Sequence, residues 1–112
     1  MNERNLMVQI QMALSKEGCR LFRNNIGVLR DRKGQYVRYG LCNPGGSDLI
    51  GWAPDARFMA VEVKTKTGRI TPEQESFITA VRNVGGIAFV ARSVEESVKW
   101  FREQSKNDNC VL

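Results

Sequence analysis

The chain has 112 residues, 42% of them hydrophobic, with 17 Lys and Arg against 12 Asp and Glu for a net charge of +5, and it contains no histidine. That length suits one domain with a modest core and is too short for two of ordinary size. Without histidine, His-dependent nucleophile activation, histidine-metal finger chemistry and His-bound zinc hydrolysis are excluded, and no apolar run approaches the ~20 residues that span a bilayer.

In chain order, Asn2 is placed to cap a helix over 3–16, with Leu6, Ile10, Ala13 and Leu14 on its buried stripe and Gly18 ending it. Glu3 lies one turn ahead of Leu6 and Met7 on the inward side; the helix dipole favours a first-turn Glu but does not set its direction. Residues 19–22 read as a short strand. Residues 26–30 and 36–41 flank Asp31-Arg32-Lys33-Gly34 as a hairpin with a basic tip. Asn43-Pro44-Gly45-Gly46-Ser47 is a flexible loop whose glycines leave room for a ligand near the backbone. A second hairpin follows, with strand 49–52, a turn over Ala53-Pro54-Asp55-Ala56 and a half-buried strand over 57–65.

Thr71-Pro72-Glu73-Gln74 combines a cap, a first-position proline and a capping-box glutamine, predicting a helix to about Val84 with Phe77, Ile78, Val81 and Val84 inward. Gly85-Gly86 stops it before an apolar strand over 87–91. Ser93 with Glu96 predicts a second capping box and a last helix to about Gln104, with Val94, Val98 and Phe101 inward. The expected order is α-β-β-β-β-β-α-β-α: an α/β domain over 1–104, a mixed sheet flanked by helices, and a loosely held tail over 105–112. Cys19, Cys42 and Cys110 are odd in number and widely spaced, which favours free thiols. A cytoplasmic protein is expected.

The second hairpin carries the chemistry. Alternation along 57–65 puts Phe58, Ala60, Glu62 and Lys64 on one face and Met59, Val61 and Val63 on the other. If the turn centres on Asp55, Asp48 falls directly opposite Glu62, roughly 5 Å away at Cβ. Two carboxylates that close repel, and a shared proton or a divalent cation relieves the repulsion. Each residue also has a plainer reading, Asp48 as a strand-start turn residue and Glu62 with Lys64 as a surface ion pair. The positive charge is regional: Arg20, Arg23, Arg30, Arg32, Lys33 and Arg38 stand against Asp31 alone in 20–38, a local surplus as large as that of the whole chain. Such a stretch suits a polyanion, or a solvated hairpin with charged edges. Tyr36 and Tyr39 beside Arg38 suit stacking or hairpin packing, whereas Trp52 and Trp100 favour packing.

Asp48, the Glu62-Val63-Lys64 triplet, Gln74 at its helix start and Glu3 on the opening helix together resemble the PD-(D/E)XK nucleases, and most closely the VRR-NUC domain in its short, free-standing phage and bacterial form. The resemblance runs from Glu3 to about Phe101 and includes Arg23-Asn24-Asn25, Gly45-Gly46-Ser47-Asp48 and Gly85-Gly86. Ser47 stands where the family name has proline, and Met7 where a glutamine is expected. The resemblance implies a restriction-endonuclease-like core and metal-dependent hydrolysis of DNA phosphodiesters. Asp48, Glu62 and the Val63 main-chain carbonyl would hold Mg²⁺ or Mn²⁺, and Glu3 would extend the acidic cluster. Lys64 would stabilise the transition state or orient water, and Gln74 would orient the water or the lysine. It further implies DNA, branched as in four-way junctions, as partner, contacts from Arg23, Arg30, Arg32, Lys33, Arg38, Lys66 and Arg69, a homodimer, and a bacterial or phage-infected cytoplasm. The other class open to the sequence is a nucleic-acid-binding module that keeps the fold without turnover.

Overall fold

A computed structural model describes residues 2–106. Its elements are α1 (Glu3–Lys16), β1 (Arg20–Arg23), β2 (Gly27–Arg30), β3 (Tyr36–Tyr39), β4 (Leu49–Trp52), β5 (Phe58–Val63), α2 (Pro72–Asn83), β6 (Ile87–Ala91) and α3 (Val94–Ser105), in the expected order. Asn2 caps α1 by accepting from the Asn5 amide at 2.9 Å. Thr71 and Gln74 form the complete capping box of α2, with Pro72 in the first turn. At α3, Ser93 accepts from the Glu96 amide, but the Glu96 carboxylate reaches past the cap to the Arg92 amide at 3.0 Å, so the box predicted there is only half made.

Strands β1, β4, β5 and β6 form one mixed sheet in that spatial order, antiparallel except for the parallel β5–β6 pair. A parallel neighbour needs a crossover, and α2 provides it. One face of the sheet packs against α1 and α3: Ile10, Leu14 and Phe101 meet Leu49, Met59, Val61, Val63, Ile87 and Phe89. On the other face α2 lays Ile78 and Val81 against Ala60 and Ala88. Strand β5 is therefore buried on both faces, where the sequence suggests half-burial; it is central in a sheet covered on both sides.

Strands β2 and β3 form a separate two-stranded sheet, a largely exposed arm that pairs with no strand of the main sheet. Asn24 fixes one end of its base, its amide oxygen accepting from the Leu41 amide and its amide nitrogen donating to the Leu41 and Ser47 carbonyls. Asn43 fixes the other by donating to the Gly27 and Tyr39 carbonyls. The glycine loop leading to β4 is filled by the protein itself. A Cβ on Gly45, at φ +97°, would strike the Glu73 carbonyl, and one on Gly46 would strike that of Leu41.

Side-chain placement or element ends differ from expectation at several positions, and Glu3, expected on the inward side of α1, is exposed. Val84 follows the last turn of α2 and is exposed, because the helix ends at Asn83 and Gly85, at φ +90°, turns the chain away. Ser97 is buried in α3, its hydroxyl donating to the Val94 carbonyl at 2.6 Å. Ser105, expected in the tail, closes α3, and Arg57 donates to its carbonyl at 2.8 Å. The rest of the expected tail, 107–112, lies outside the described residues. Cys19 and Cys42 are free thiols; burial pushes that of Cys19 up to about 11, so it stays protonated and packs as a small apolar residue. Among the described residues no helix is long and apolar enough to cross a membrane.

Candidate active site

The register of the β4–β5 hairpin pairs Leu49 with Val61 and Trp52 with Phe58. Extended by one residue, it sets Asp48 against Glu62 at the end of the hairpin remote from its turn. Asp48 is held by the strand it faces: its Oδ2 accepts from the Val63 amide at 2.9 Å. Glu62 is 2% exposed, the only carboxylate among the described buried residues. Its Oε2 accepts from the Gln74 side-chain amide at 3.2 Å and lies 3.5 Å from the Lys64 ammonium. Its Oε1 is buried with no hydrogen-bond partner among the described residues. Burial pushes the Glu62 carboxyl up to about 8, the Asp48 charge and a hydrogen bond that a shared proton makes with Asp48 adding to the rise and Lys64 opposing it, so that at neutral pH the pair holds a proton that a cation would displace.

Gln74 makes the capping box its sequence position suggests and also reaches Glu62. Its side-chain oxygen accepts from the Thr71 amide at 3.0 Å to close the capping box, while its nitrogen donates to Glu62. The start of α2 is thereby pinned to the end of β5, and the buried carboxylate gains a fixed orientation. Lys64 lies just beyond the last strand residue. The parallel pairing continues through its amide, which donates to the Ala91 carbonyl at 3.1 Å, so its side chain leaves on the Glu62 side of the sheet.

A cleft of about 490 Å³ opens on the Asp48 side of the site, lined by Glu3, Met7, Arg23, Asn24, Tyr39 and Asp48 among others. Glu3 thus shares the cleft with Asp48. It does not bring the carboxylates into a three-member cluster among the described residues. Met7, where the family pattern suggests glutamine, lies on the cleft wall, whereas Ser47 is buried beside Asp48 with its hydroxyl unpartnered. Arg30, Arg32, Lys33 and Arg38 are carried on the arm, Arg30 resting 5.0 Å above the Tyr36 ring. Lys66 and Arg69 follow β5 on the loop to α2. That loop is held by Arg92, which donates to the Thr65 and Gly68 carbonyls at 2.8 and 2.6 Å. Asn24, Asn43 and Arg92 position the arm and this loop. Most of their partners are backbone groups 16 to 27 residues away, so although Asn24 falls within the stretch the resemblance covers, the sequence does not assign these positioning roles. A hollow of about 520 Å³ between Arg57, Arg82, Trp100 and Gln104 lies at the opposite end of β5, away from the carboxylates.

A mixed sheet flanked by helices, with a buried glutamate, a facing aspartate and a lysine at the end of one hairpin, defines a restriction-endonuclease-like nuclease core. The chain belongs to the VRR-NUC family: the family model described as VRR-NUC domain matches residues 2–95. No curated protein and no solved structure matches the chain. Membership makes it a nuclease-type DNA-binding domain of a family that typically uses divalent metals.

The donor set suits such an ion. Carboxylate oxygens are the ligands hard divalent cations favour, and a buried carboxylate oxygen without a partner is one a cation would satisfy.

Proposed function

We propose that the protein is a Mg²⁺-dependent endodeoxyribonuclease, with Mn²⁺ able to substitute, that acts as a homodimer on branched DNA such as four-way junctions. The observation that carries this reading is the meeting of Asp48, a buried Glu62 and Lys64 at one end of the hairpin, where the two carboxyls share a proton that a cation would replace. Asp48, Glu62 and the Val63 carbonyl would hold the ion. When bound, the ion supplies charge neutralisation at the phosphate and acidifies the attacking water.

The chain's own residues do the rest. Lys64, paired with Glu62 at 3.5 Å, would place positive charge where the phosphorane's negative charge develops. Gln74 holds Glu62 in one orientation and its own helix start in register with the site. Glu3 adds negative charge to the cleft wall, where it orients water or recruits a second cation. Arg23 sits beside Asp48 and takes a phosphate of the bound strand. Lys66 and Arg69, on the loop that follows Lys64, would add further positive charge for the strand.

Incubating labelled junction, flap and linear duplex DNA with the purified protein tests this directly. Cleavage of the branched substrates with Mg²⁺ and none with EDTA is expected. Binding without cleavage under every metal condition would identify a module that keeps the fold without turnover.

The arm has a separate expected result. Arg30, Arg32, Lys33 and Arg38 are exposed on an arm that makes no ion pair of its own among the described residues, so their charge is available to phosphates. Replacing them with Gln lowers the slope of log affinity against log salt by about 0.9 per lost contact. An unchanged slope would assign the arm's charge to solubility.

A further inference from the structure

Helix α2 covers only the β5–β6 half of its side of the sheet. The register places Phe22 beside Ile50 and Trp52 beside Phe58 on the same face as Ala60, so the β1–β4 half of that face carries its own apolar residues with no helix above them. Phe22 is 57% exposed, Trp52 47%, Phe58 40% and the adjoining Leu41 54%. They wall a hollow of about 370 Å³ whose floor is Ile50, with Phe22 and Trp52 tilted at 46° and 5.7 Å between ring centroids.

Large aromatic side chains present 150–250 Å² each, so three rings and a leucine exposed to this degree leave on the order of 400 Å² of apolar surface in one patch. An ordinary interface needs about 800 Å² per partner, about 65% of it apolar in a homodimer. The patch therefore supplies most of the apolar centre such an interface requires. Because the rings that wall the hollow are themselves exposed, one surface can offer both ring and recess to its own copy across a two-fold axis. Its lining holds a single charged side chain, Arg23, which suits a protein surface better than a polyanion. Arg23 also lines the cleft that contains Asp48, so this patch and the candidate active site share a border.

We propose that this uncovered half-sheet is where a second copy of the chain docks, each copy setting Phe22 and Trp52 into the other's hollow over Ile50. The proposal rests on the homodimer reading given above and names its surface. It places the two carboxylate clefts beside one interface, where a branched substrate meets both.

Sedimentation equilibrium of the wild type and of Phe22→Arg and Trp52→Arg, from nanomolar to tens of micromolar, tests it. The expected result is a wild-type mass of twice 12.7 kDa, with self-association weakened at least about 100-fold in each variant. A Trp100→Phe protein, in which Trp52 is the only tryptophan, gives a measurement that does not depend on the arginine variants folding. Its emission shifts to the blue as the protein associates. If the wild type is monomeric throughout, both this surface and the homodimer reading fall. If wild type and folded variants dimerise equally, the surface is wrong and the homodimer reading stands. If Trp52 emission responds to single-stranded oligonucleotide but not to protein concentration, the hollow is a base-stacking platform and the proposal is overturned.

Discussion

Glu62→Gln abolishes cleavage and, without divalent ions, leaves the protein more stable than the wild type at pH 9. Both effects follow from one buried carboxyl. Burial first, and the Asp48 charge second, raise its pKa to about 8 from an ordinary 4.5, while Lys64 offsets only part of the rise. A folded-state pKa above the unfolded value means that the native protein holds this proton more tightly. The associated stability is complete below about pH 4.5 and is lost as pH rises through about 8. Across that window the metal-free wild type loses on the order of 3–5 kcal/mol. Glutamine retains the shape and cannot ionise, so the variant lacks this slope. Urea unfolding in EDTA at pH 5, 7 and 9 reads the difference as a falling midpoint for the wild type and a level one for the variant. Adding Mg²⁺ at pH 9 restores the wild type, because a ligand that binds only the native state stabilises it, and leaves the variant unchanged. A wild-type midpoint that does not fall toward pH 9 would show that the two carboxylates do not share this site.

Lys64→Ala lowers the cleavage rate by about 10²–10³ while preserving folding and junction binding. The lysine has two conceivable effects, and pH separates them. Acting only as counter-ion to Glu62, it holds that carboxyl lower than burial alone would leave it. Its loss then moves the pH profile upward, and raising the pH restores the rate. Acting on the phosphate or the water, it leaves a deficit that no pH repairs. The second outcome is expected, since the ammonium sits 3.5 Å from Glu62 beside the oxygens that would hold the ion, within reach of a phosphate bound there. Lys64→Arg does not rescue, because a planar guanidinium cannot replace a compact ammonium at a crowded strand end. Single-turnover rates from pH 6 to 10 decide between the two. Full recovery at high pH would reduce Lys64 to a partner of Glu62.

Much of this site is local information. The distance in sequence from Asp48 to Glu62, divided by a turn of known composition, sets a hairpin register, and the register sets which side chains face each other. Thr71, Pro72 and Gln74 mark a helix start whose capping hydrogen bonds span three residues, which is why its position was legible. The alternation of β5 likewise sorts Glu62 and Lys64 from Met59, Val61 and Val63 before any partner is known.

Other features depend on which elements become neighbours. The burial of β5 on both faces, and with it the raised pKa of Glu62, comes from α2 crossing over the β5–β6 pair, and a strand's own pattern of alternation does not reveal how many layers will cover it. The detachment of β2–β3 from the main sheet is decided by β1 pairing with β4 across the intervening arm, a contact between segments about thirty residues apart. The half-sheet of Phe22, Trp52 and Phe58 was invisible for the same reason: each residue reads as ordinary strand packing, and only the limited reach of α2 leaves them uncovered together. The sequence by itself determined the hairpin, the helix caps and the facing of two carboxylates, because those are set by short-range geometry. Tertiary structure alone decided their burial and the open apolar face, because both depend on which layers of the fold lie above the sheet.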